Sequence, residues 1–519
     1  MTVYDPSPGT AALAYLGSGH RPPDALPAAD PAGLPPVHKR YPSAGRLFLP
    51  GGRAPGDTPR DRLSRLLRLT NGITRMRWMS GLMPLGLGGA GAAGDRRVLL
   101  SPGRTAAASG SRYPVEVYVA QAGAEGLPSG LFHYDPVHHV LERLRDGDGR
   151  ARVLAALRTP PAREPEALLL LSSVLWRNAA KYGTFGYRLQ SLDVGAVVAQ
   201  AVAAAGVAGL AAEVHLHFDD AALDGLLGLD SYAEGVFAVV ALHRQDGPPL
   251  TAVAAPASEA PVSWTGPVPA AEPGLPAVSG IPSMAEAAAL HAAVRACGPG
   301  HGGPPLAGWV PPSGAPRHAL PQAALSVADG FAGRRTVYGY RPRSVPEDSL
   351  AALLAAAAAP LPGGAGGDGD VPPVVLAGVV QRVPGVETGA HVYDPAGHAL
   401  VRTRGADAVP AVIGAAKSPM LADECRSATA TLAACGPLRA GIERFGDRWY
   451  RTQNIAAGAL AQRIALAAAA AGLESHVHCD FDPDLVGAAL GLGPGGPEPL
   501  VVVTVGPGAP ERTDPQQAV

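Results

Sequence analysis

The sequence predicts an α+β fold built twice, because three blocks recur in the same order along the 519-residue chain. Lys181-Tyr182-Gly183, Tyr187-Arg188, Gln190, Gly195, Gly209-Leu210, Phe218-Asp219 and Leu227-Gly228-Leu229 form the first. They return 263 positions later as Arg444-Phe445-Gly446, Tyr450-Arg451, Gln453, Gly458, Gly472-Leu473, Phe481-Asp482 and Leu490-Gly491-Leu492. Gly130, Tyr134-Asp135-Pro136, His139 and Leu141 match Gly389, Tyr393-Asp394-Pro395, His398 and Leu400 at an offset of 259. Pro59, Asp61, Leu63 and Leu66-Leu67 match Pro346, Asp348, Leu350 and Leu353-Leu354 at an offset of 287. Such order points to an internal duplication, and the length suits two or three domains. The expected division is a domain over 1–253, a Pro/Ala/Gly-rich linker over 254–321 and a second domain over 322–519.

Within each copy, strand and helix signals alternate. Val115 to Val119 alternates like a strand, and Leu131 to Leu141 reads as a hairpin turning at Asp135-Pro136. Leu168 to Trp176 is a continuous apolar run, the pattern of a buried strand. Gln190 to Leu210 reads as an Ala-rich buried helix closed by Gly209, and Val236 to His243 as another apolar strand. Between the copies, Ala254 to Met284 is Pro/Ala-rich. A short helix over Ala285–Cys297 and a Gly/Pro-rich stretch to Pro321 follow.

Composition narrows the class. Hydrophobic residues make up 47% of the chain, enough for two cores, and the formal net charge of −2 gives no electrostatic reason to expect nucleic acid or an anionic membrane. The four cysteines have no paired spacing, so a reducing, cytoplasmic setting is expected. The N-terminus lacks a basic and then apolar segment and does not read as a signal peptide. Ala-rich runs such as 193–212 read as too short and too broken to cross a bilayer.

The motifs reach a family. Ser109-Gly110-Ser111-Arg112-Tyr113-Pro114-Val115-Glu116-Val117-Tyr118 leads into Gly130-Leu131-Phe132-His133-Tyr134-Asp135-Pro136. Lys181-Tyr182-Gly183 with Tyr187-Arg188, Asp193 and Gly195, and Phe218-Asp219-Asp220 with Leu227-Gly228-Leu229-Asp230, follow in order. The set resembles the nitroreductase-like (SagB-type) azoline dehydrogenases of streptolysin, microcin and thiopeptide biosynthesis, over residues 38–245 and more weakly over 322–507. The resemblance implies FMN and an α+β flavoprotein fold normally assembled as a dimer with flavin at the interface. It also implies oxidation of thiazoline or oxazoline rings in a heterocyclised precursor peptide, with a cyclodehydratase of the same pathway as partner.

In that family a Lys-Tyr pair matching Lys181 and Tyr182 is regarded as catalytic. A lysine takes a proton only when neutral, and burial or the positive end of a helix lowers its pKa. Lys181 precedes the Gln190 helix, where the dipole would act in that direction. In the second copy the pair becomes Arg444-Phe445, a permanent cation beside a ring with no hydroxyl. Flavin phosphate needs cationic and hydroxyl donors, and the second copy carries Arg334-Arg335-Thr336 within Gly333 to Tyr340. The first-copy segment set opposite it, Gly45 to Gly51, lacks the second arginine and the hydroxyl. Conversely the second copy lacks the Ser109–Ser111 loop, since the offset shrinks from 287 to 259 across it and 28 residues are missing.

The expectation is therefore an intrachain pseudo-dimer with a degenerate second copy and one composite FMN site. Arg334, Arg335 and Thr336 would come from one half, and Ser109, Ser111, Lys181 and Tyr182 from the other. Arg104 and Arg188 are further flavin candidates. His215, His217 and His478 lie on strands, but no third and fourth ligands are spaced to join them, so no metal site is expected. Gly-rich 84–94 lacks the Lys-Ser/Thr of a P-loop. Two rival readings are a nitro- or quinone reductase on the same fold and a non-catalytic scaffold that binds the peptide or the cyclodehydratase.

Overall fold

The computed structural model describes residues 9–23, 35–51, 56–79, 99–250, 268–298 except 273 and 275, 306, 309–363 except 313, 371–509 and 516–518. The Gly-rich 84–94 stretch and residues 254–267 of the Pro/Ala-rich interval lie outside these. The first half runs α1 (Thr10–Gly17), β1 (Gly45–Phe48), α2 (Pro59–Asn71), β2 (Ile73–Met79), β3 (Leu99–Arg104), β4 (Val115–Gln121), β5 (Gly130–Asp135) and β6 (Val140–Asp146). It continues with α3 (Arg150–Ala156), β7 (Ala167–Val174), α4 (Leu175–Tyr182), α5 (Gly186–Val207), β8 (Ala211–His215), α6 (Asp220–Leu227) and β9 (Glu234–His243). After α7 (Ala285–Ala296), the second half runs β10 (Arg317–Ala319), α8 (Glu347–Ala358), β11 (Val375–Val380), β12 (Gly389–Asp394), β13 (Ala399–Arg404), α9 (Ala408–Gly414) and α10 (Pro419–Ser427). It closes with β14 (Ala430–Gly436), α11 (Leu438–Phe445), α12 (Arg448–Ala470), β15 (Glu474–His478), α13 (Pro483–Ala489), β16 (Glu498–Gly506) and β17 (Gln516–Ala518).

Each half is a seven-stranded antiparallel sheet, in the order β1-β6-β5-β4-β7-β9-β8 and β10-β13-β12-β11-β14-β16-β15. The two orders are the same order, so the duplication inferred from motif spacing is a duplication of fold. Central strands such as β7 are buried along their whole length, which is why Leu168 to Leu171 forms an unbroken apolar run. The third block marks α2 and α8. At α2 the Thr58 hydroxyl accepts from the Asp61 backbone N–H, Asp61 returns the bond, and Pro59 opens the helix.

The halves meet along α5 and α12, and the contact is pseudo-symmetric. A Cβ on Gly195 would lie 2.0 Å from the Ile455 carbonyl oxygen, and one on the equivalent Gly458 would lie 2.1 Å from the Leu192 carbonyl oxygen. Gln462 donates to Gln200 across the same seam at 2.8 Å. Tyr187 and its counterpart Tyr450 face each other with centroids 6.4 Å apart. Helix α5 is apolar on nearly every side because it is enclosed on nearly every side. Leu175–Val207 is long and apolar enough to cross a membrane by length and composition, contrary to the reading of this region as too broken. With 78% of its apolar window buried inside the protein, it is a core element here.

Three further features tie the halves. Helix α1 lies across the junction: the Ala12 amide donates to Asp447 at 2.7 Å, and Tyr15 packs edge-on against Tyr187 and Tyr450. On α7, His291 stacks on Phe237 and meets the Tyr187 hydroxyl at 3.3 Å. Strand β17, at the far end of the chain, pairs with β2 of the first half in a three-stranded sheet with β3. Strand β10, within the interval read as linker, is the edge of the second sheet.

The sheets correct one alignment. In β1, Leu47 pairs with Leu141; in β10, His318 pairs with Leu400, the duplicate of Leu141. The counterpart of Gly45–Phe48 is therefore Arg317–Ala319 and its neighbour, not Gly333 to Tyr340. Between the edge strand and the next helix the first half has ten residues and the second twenty-seven. The Arg334-Arg335-Thr336 segment is extra chain in that longer connection, which an offset carried back from α8 overran.

Candidate active site between the halves

Lys181 and Tyr182 form the last turn of α4, which ends at Gly183 with φ 57°. This is the negative end of a helix, so the expected contribution of the α5 dipole does not apply. The Lys181 pKa is lowered all the same, first by burial and then by the Arg112 guanidinium. Burial raises the Tyr182 pKa, with Asp193, Cys479 and Asp480 adding to it, so its hydroxyl stays protonated. The Lys181 ammonium nitrogen lies 5.1 Å from the centre of the Tyr182 ring.

The Ser109–Ser111 turn lies directly on this pair. Gly110 adopts φ 55°, and a Cβ there would come 2.3 Å from the Tyr182 hydroxyl oxygen and 2.8 Å from Lys181 Nζ. Glycine is required for the conformation and for the approach. The turn is anchored from below: the Ser109 amide and hydroxyl both donate to Asp193 Oδ1 at 2.9 Å, and Asn178 Nδ2 donates to Asp193 Oδ2 at 3.0 Å. The Ala107 amide donates to Gln462 of α12 at 3.1 Å, which fixes the turn against the second half.

The root of the same turn meets the arginine segment. Arg334 is buried, and its guanidinium donates to the Thr105 carbonyl at 2.8 Å and the Arg104 carbonyl at 3.3 Å. Arg335, partly exposed, pairs with Glu474 of β15 at 2.6 Å, and Thr336 bridges to Ser475. Arg75 of β2 acts electrostatically on both arginines. Among the described residues, Arg75, Arg334 and Arg335 are thus three guanidiniums answered by one carboxylate, Glu474. The excess positive charge fits an anionic phosphate.

The other expected flavin ligands are placed elsewhere. Arg104 is fully buried and turns away, donating to the Val37 carbonyl at 2.7 Å with its face on Tyr113. Only its carbonyl reaches Arg334. Arg188 lies in the junction between halves, donating to the His20 and Leu500 carbonyls at 2.8 and 2.5 Å and stacking on Phe481. Its duplicate Arg451 stacks on Phe218, the duplicate of Phe481. Both arginines serve the pseudo-symmetric interface.

The second copy presents a different surface at the equivalent place. Arg444 lies over Phe445, and Phe445 stacks on Trp449 at 4.8 Å. Residues 359–374 join α8 to β11, and among the described residues of that connection there is no counterpart of the β2-β3 pair or the serine turn. In that connection the Pro362 carbonyl accepts from the Val214 amide at 2.7 Å and covers the edge of β8.

Among the described residues, Glu424, His476 and His478 have ligand atoms within 4.8 Å of one another, a grouping that chain spacing did not reveal. Hydrogen bonds account for it. His478 bonds Glu424 at 2.8 Å and Asp480 at 3.1 Å, and His476 and Thr504 also bond Glu424. Burial alone would lower the His478 pKa, but its two carboxylate partners lift it to about 9 and hold an imidazolium between them. His215 and His217 are buried around the end of β8. Sequence reasoning missed Asp193, Asn178, Arg75 and Arg112. For Asp193 a signal existed: its duplicate is Ala456, and the duplicate of Asn178 is Gly441.

Fold and site together define a nitroreductase-type architecture, and the chain belongs to the nitroreductase family, whose model matches residues 59–242 and 331–507. A crystal structure of a nitroreductase-family protein from Anabaena variabilis superposes over 97% of this chain and 100% of its own, with a TM-score of 0.75 at 22% identity. Among curated sequences, a nitroreductase-family protein of Methanocaldococcus jannaschii is 30% identical over 95 residues, 18% of this chain and 48% of its own length. The trifolitoxin-processing protein TfxB of Rhizobium leguminosarum bv. trifolii is 26% identical over 144 residues, 26% of this chain and 38% of its own. The chain matches about half or less of the length of these curated relatives.

Proposed function

We propose that this oxidoreductase is an FMN-dependent azoline dehydrogenase, converting thiazoline or oxazoline rings in a heterocyclised precursor peptide to azoles. The observation that carries the reading is the seating of Gly110 on Lys181 and Tyr182, with the root of the same turn held by Arg334 of the other half. Nitroreductase-family proteins typically bind flavin. Arg334, Arg335, Thr336 and Arg75 would hold its phosphate, and Ser109 and Ser111 would border it from the first half. Bound flavin supplies a two-electron acceptor for the ring hydrogen that leaves as hydride.

The chain's own residues handle the proton. The azoline Cα–H is acidic because negative charge spreads into the ring C=N and the adjacent carbonyl. Lys181, whose pKa is lowered by burial and by Arg112, accepts that proton in its neutral form. Tyr182, held protonated, offers its hydroxyl as a donor to the developing charge. Arg444 cannot take the lysine's role, because guanidinium keeps its proton. The likeness to TfxB, a trifolitoxin-processing protein, and the motif resemblance together support a peptide substrate, and the resemblance implies a cyclodehydratase as upstream partner.

The test is mass spectrometry of a cyclised precursor peptide, which loses about 2 Da for each ring oxidised as one proton and one hydride depart. Lys181→Ala is expected to keep flavin and fold and to lose turnover by roughly 10²- to 10⁴-fold. Arg444→Ala is expected to behave as wild type. An Arg444 variant as inactive as Lys181→Ala, with flavin retained in both, would place the working site in the other copy.

A further inference from the structure

We propose that Asp193 is a positioning residue that holds the Ser109–Ser111 turn against Lys181 and Tyr182 and releases it when the carboxylate takes up a proton. The inference rests on the proposed roles of Lys181 and Tyr182 only for its effect on turnover; the clamp itself stands on geometry. Asp193 is buried on α5 and spends both oxygens on the site: Oδ1 takes the Ser109 amide and hydroxyl at 2.9 Å, and Oδ2 takes Asn178 at 3.0 Å. Asn178 stands on α4, three residues before Lys181. One carboxylate therefore links the turn to the helix that carries the pair. Where the second copy lost its turn, it also lost both ends of the clamp, with Ala456 and Gly441 in place of Asp193 and Asn178.

The same carboxylate is poised to change state. Among the described residues it pairs with no cation, and burial pushes its pKa up to about 7 against the pull of its three donors. The titratable groups that face it are Tyr182 from α4 and Cys479 from the second half, both neutral because burial raises them. Of the nearby cations, Arg112 caps the turn and Lys181 lies against Gly110. Both protonation states can be satisfied, because the buried Asn178 Oδ1 has no hydrogen-bond partner. A flip of that amide lets it accept from the protonated acid. The ionised form makes charge-assisted bonds to Ser109, and the neutral form makes weaker ones.

The signs separate positioning from support. A carboxyl whose folded pKa is raised costs global stability as pH rises from the ordinary Asp value toward 7, while the turn is held most tightly above 7. The experiment is hydrogen exchange with mass spectrometry over residues 105–112 of the full chain with FMN bound, corrected for intrinsic rate, alongside melting temperature and oxidation of a synthetic thiazoline peptide. Wild-type protection is expected to fall as pH drops from 8 to 6. Asp193→Ala should exchange roughly 10- to 100-fold faster at pH 8. Asp193→Asn should lose the pH dependence without a lower melting temperature at pH 8. If Asp193→Ala does not fold, Ser109→Ala removes one bond from the turn's side and must also raise exchange.

Unchanged protection in these variants would overturn the clamp, as would an Asp193→Asn protein that melts lower while its turn stays protected. Loosened turns in a protein whose wild type never oxidises thiazolines would leave the clamp standing and remove the proposed function instead.

Discussion

In the proposed reaction Lys181 bears the heaviest chemical demand, since a lysine accepts a proton only after giving up its own. Burial and Arg112 move its pKa in the useful direction, and the direction fixes a sign. Turnover should rise with pH through the lowered lysine pKa. Arg112→Gln removes the second cause, so the rising limb of kcat/KM should move to higher pH; an unmoved limb would mean that Lys181 is not the titrating base. Tyr182→Phe keeps the ring and deletes the donor, and single-turnover kinetics should show a smaller loss than Lys181→Ala. An equal loss would make Tyr182 the proton carrier. The family resemblance singled out these two residues, and the duplicate copy carries Arg444-Phe445 in their place. Asp193 was quoted in the same motif yet its role was not, because a buried acid on an apolar helix shows its purpose only beside Ser109 and Asn178. The lysine's environment was misjudged for a similar reason: a short helix ends at Tyr182, where the sequence suggested that only the next one began.

Helices α5 and α12 carry the junction, and their glycines are where a side chain cannot fit. Gly195→Val places a Cβ against the Ile455 carbonyl and should cost about 1–3 kcal/mol or more in denaturant unfolding. Gly206 in the same helix has open space around it, so Gly206→Ala should be neutral or stabilising by up to about 1 kcal/mol. Equal losses at both positions would refute the close crossing. Behind the seam, Asp220 of α6 bonds two buried guanidiniums, Arg448 and Arg451, the latter at 2.6 Å. Burial works against its charge, but the two arginines hold its pKa below the ordinary Asp range. Its contribution is therefore complete above that range and lost as pH falls through the lowered value. Asp220→Asn should destabilise by about 3–5 kcal/mol, because it strands two buried cations, with calorimetry as the check. Gly195 and Gly458 were visible as repeated glycines. Their reason was not, since contact between two distant helices leaves no local pattern.

At the scale of the whole chain, the duplication was readable because motif spacing survives when side chains diverge. The serine turn's absence from the second copy was readable as a change of offset. The arginine segment's place was not, because an offset cannot tell an insertion from a substitution, and only the pairing of Leu47 and His318 with their sheet partners separates the two. On the proposed reading the halves share one site: the first half would contribute Lys181, Tyr182 and the serine turn, and the second Arg334, Arg335 and Thr336. Flavin quantitation per chain tests this most directly, performed on wild type and on Arg335→Ala. The expected result is one FMN per wild-type chain, with binding weakened roughly 10- to 150-fold in the variant although Lys181 and Tyr182 lie in the other half. Two flavins per chain, or full occupancy undiminished in Arg335→Ala and Arg334→Ala alike, would contradict a single site built from both halves.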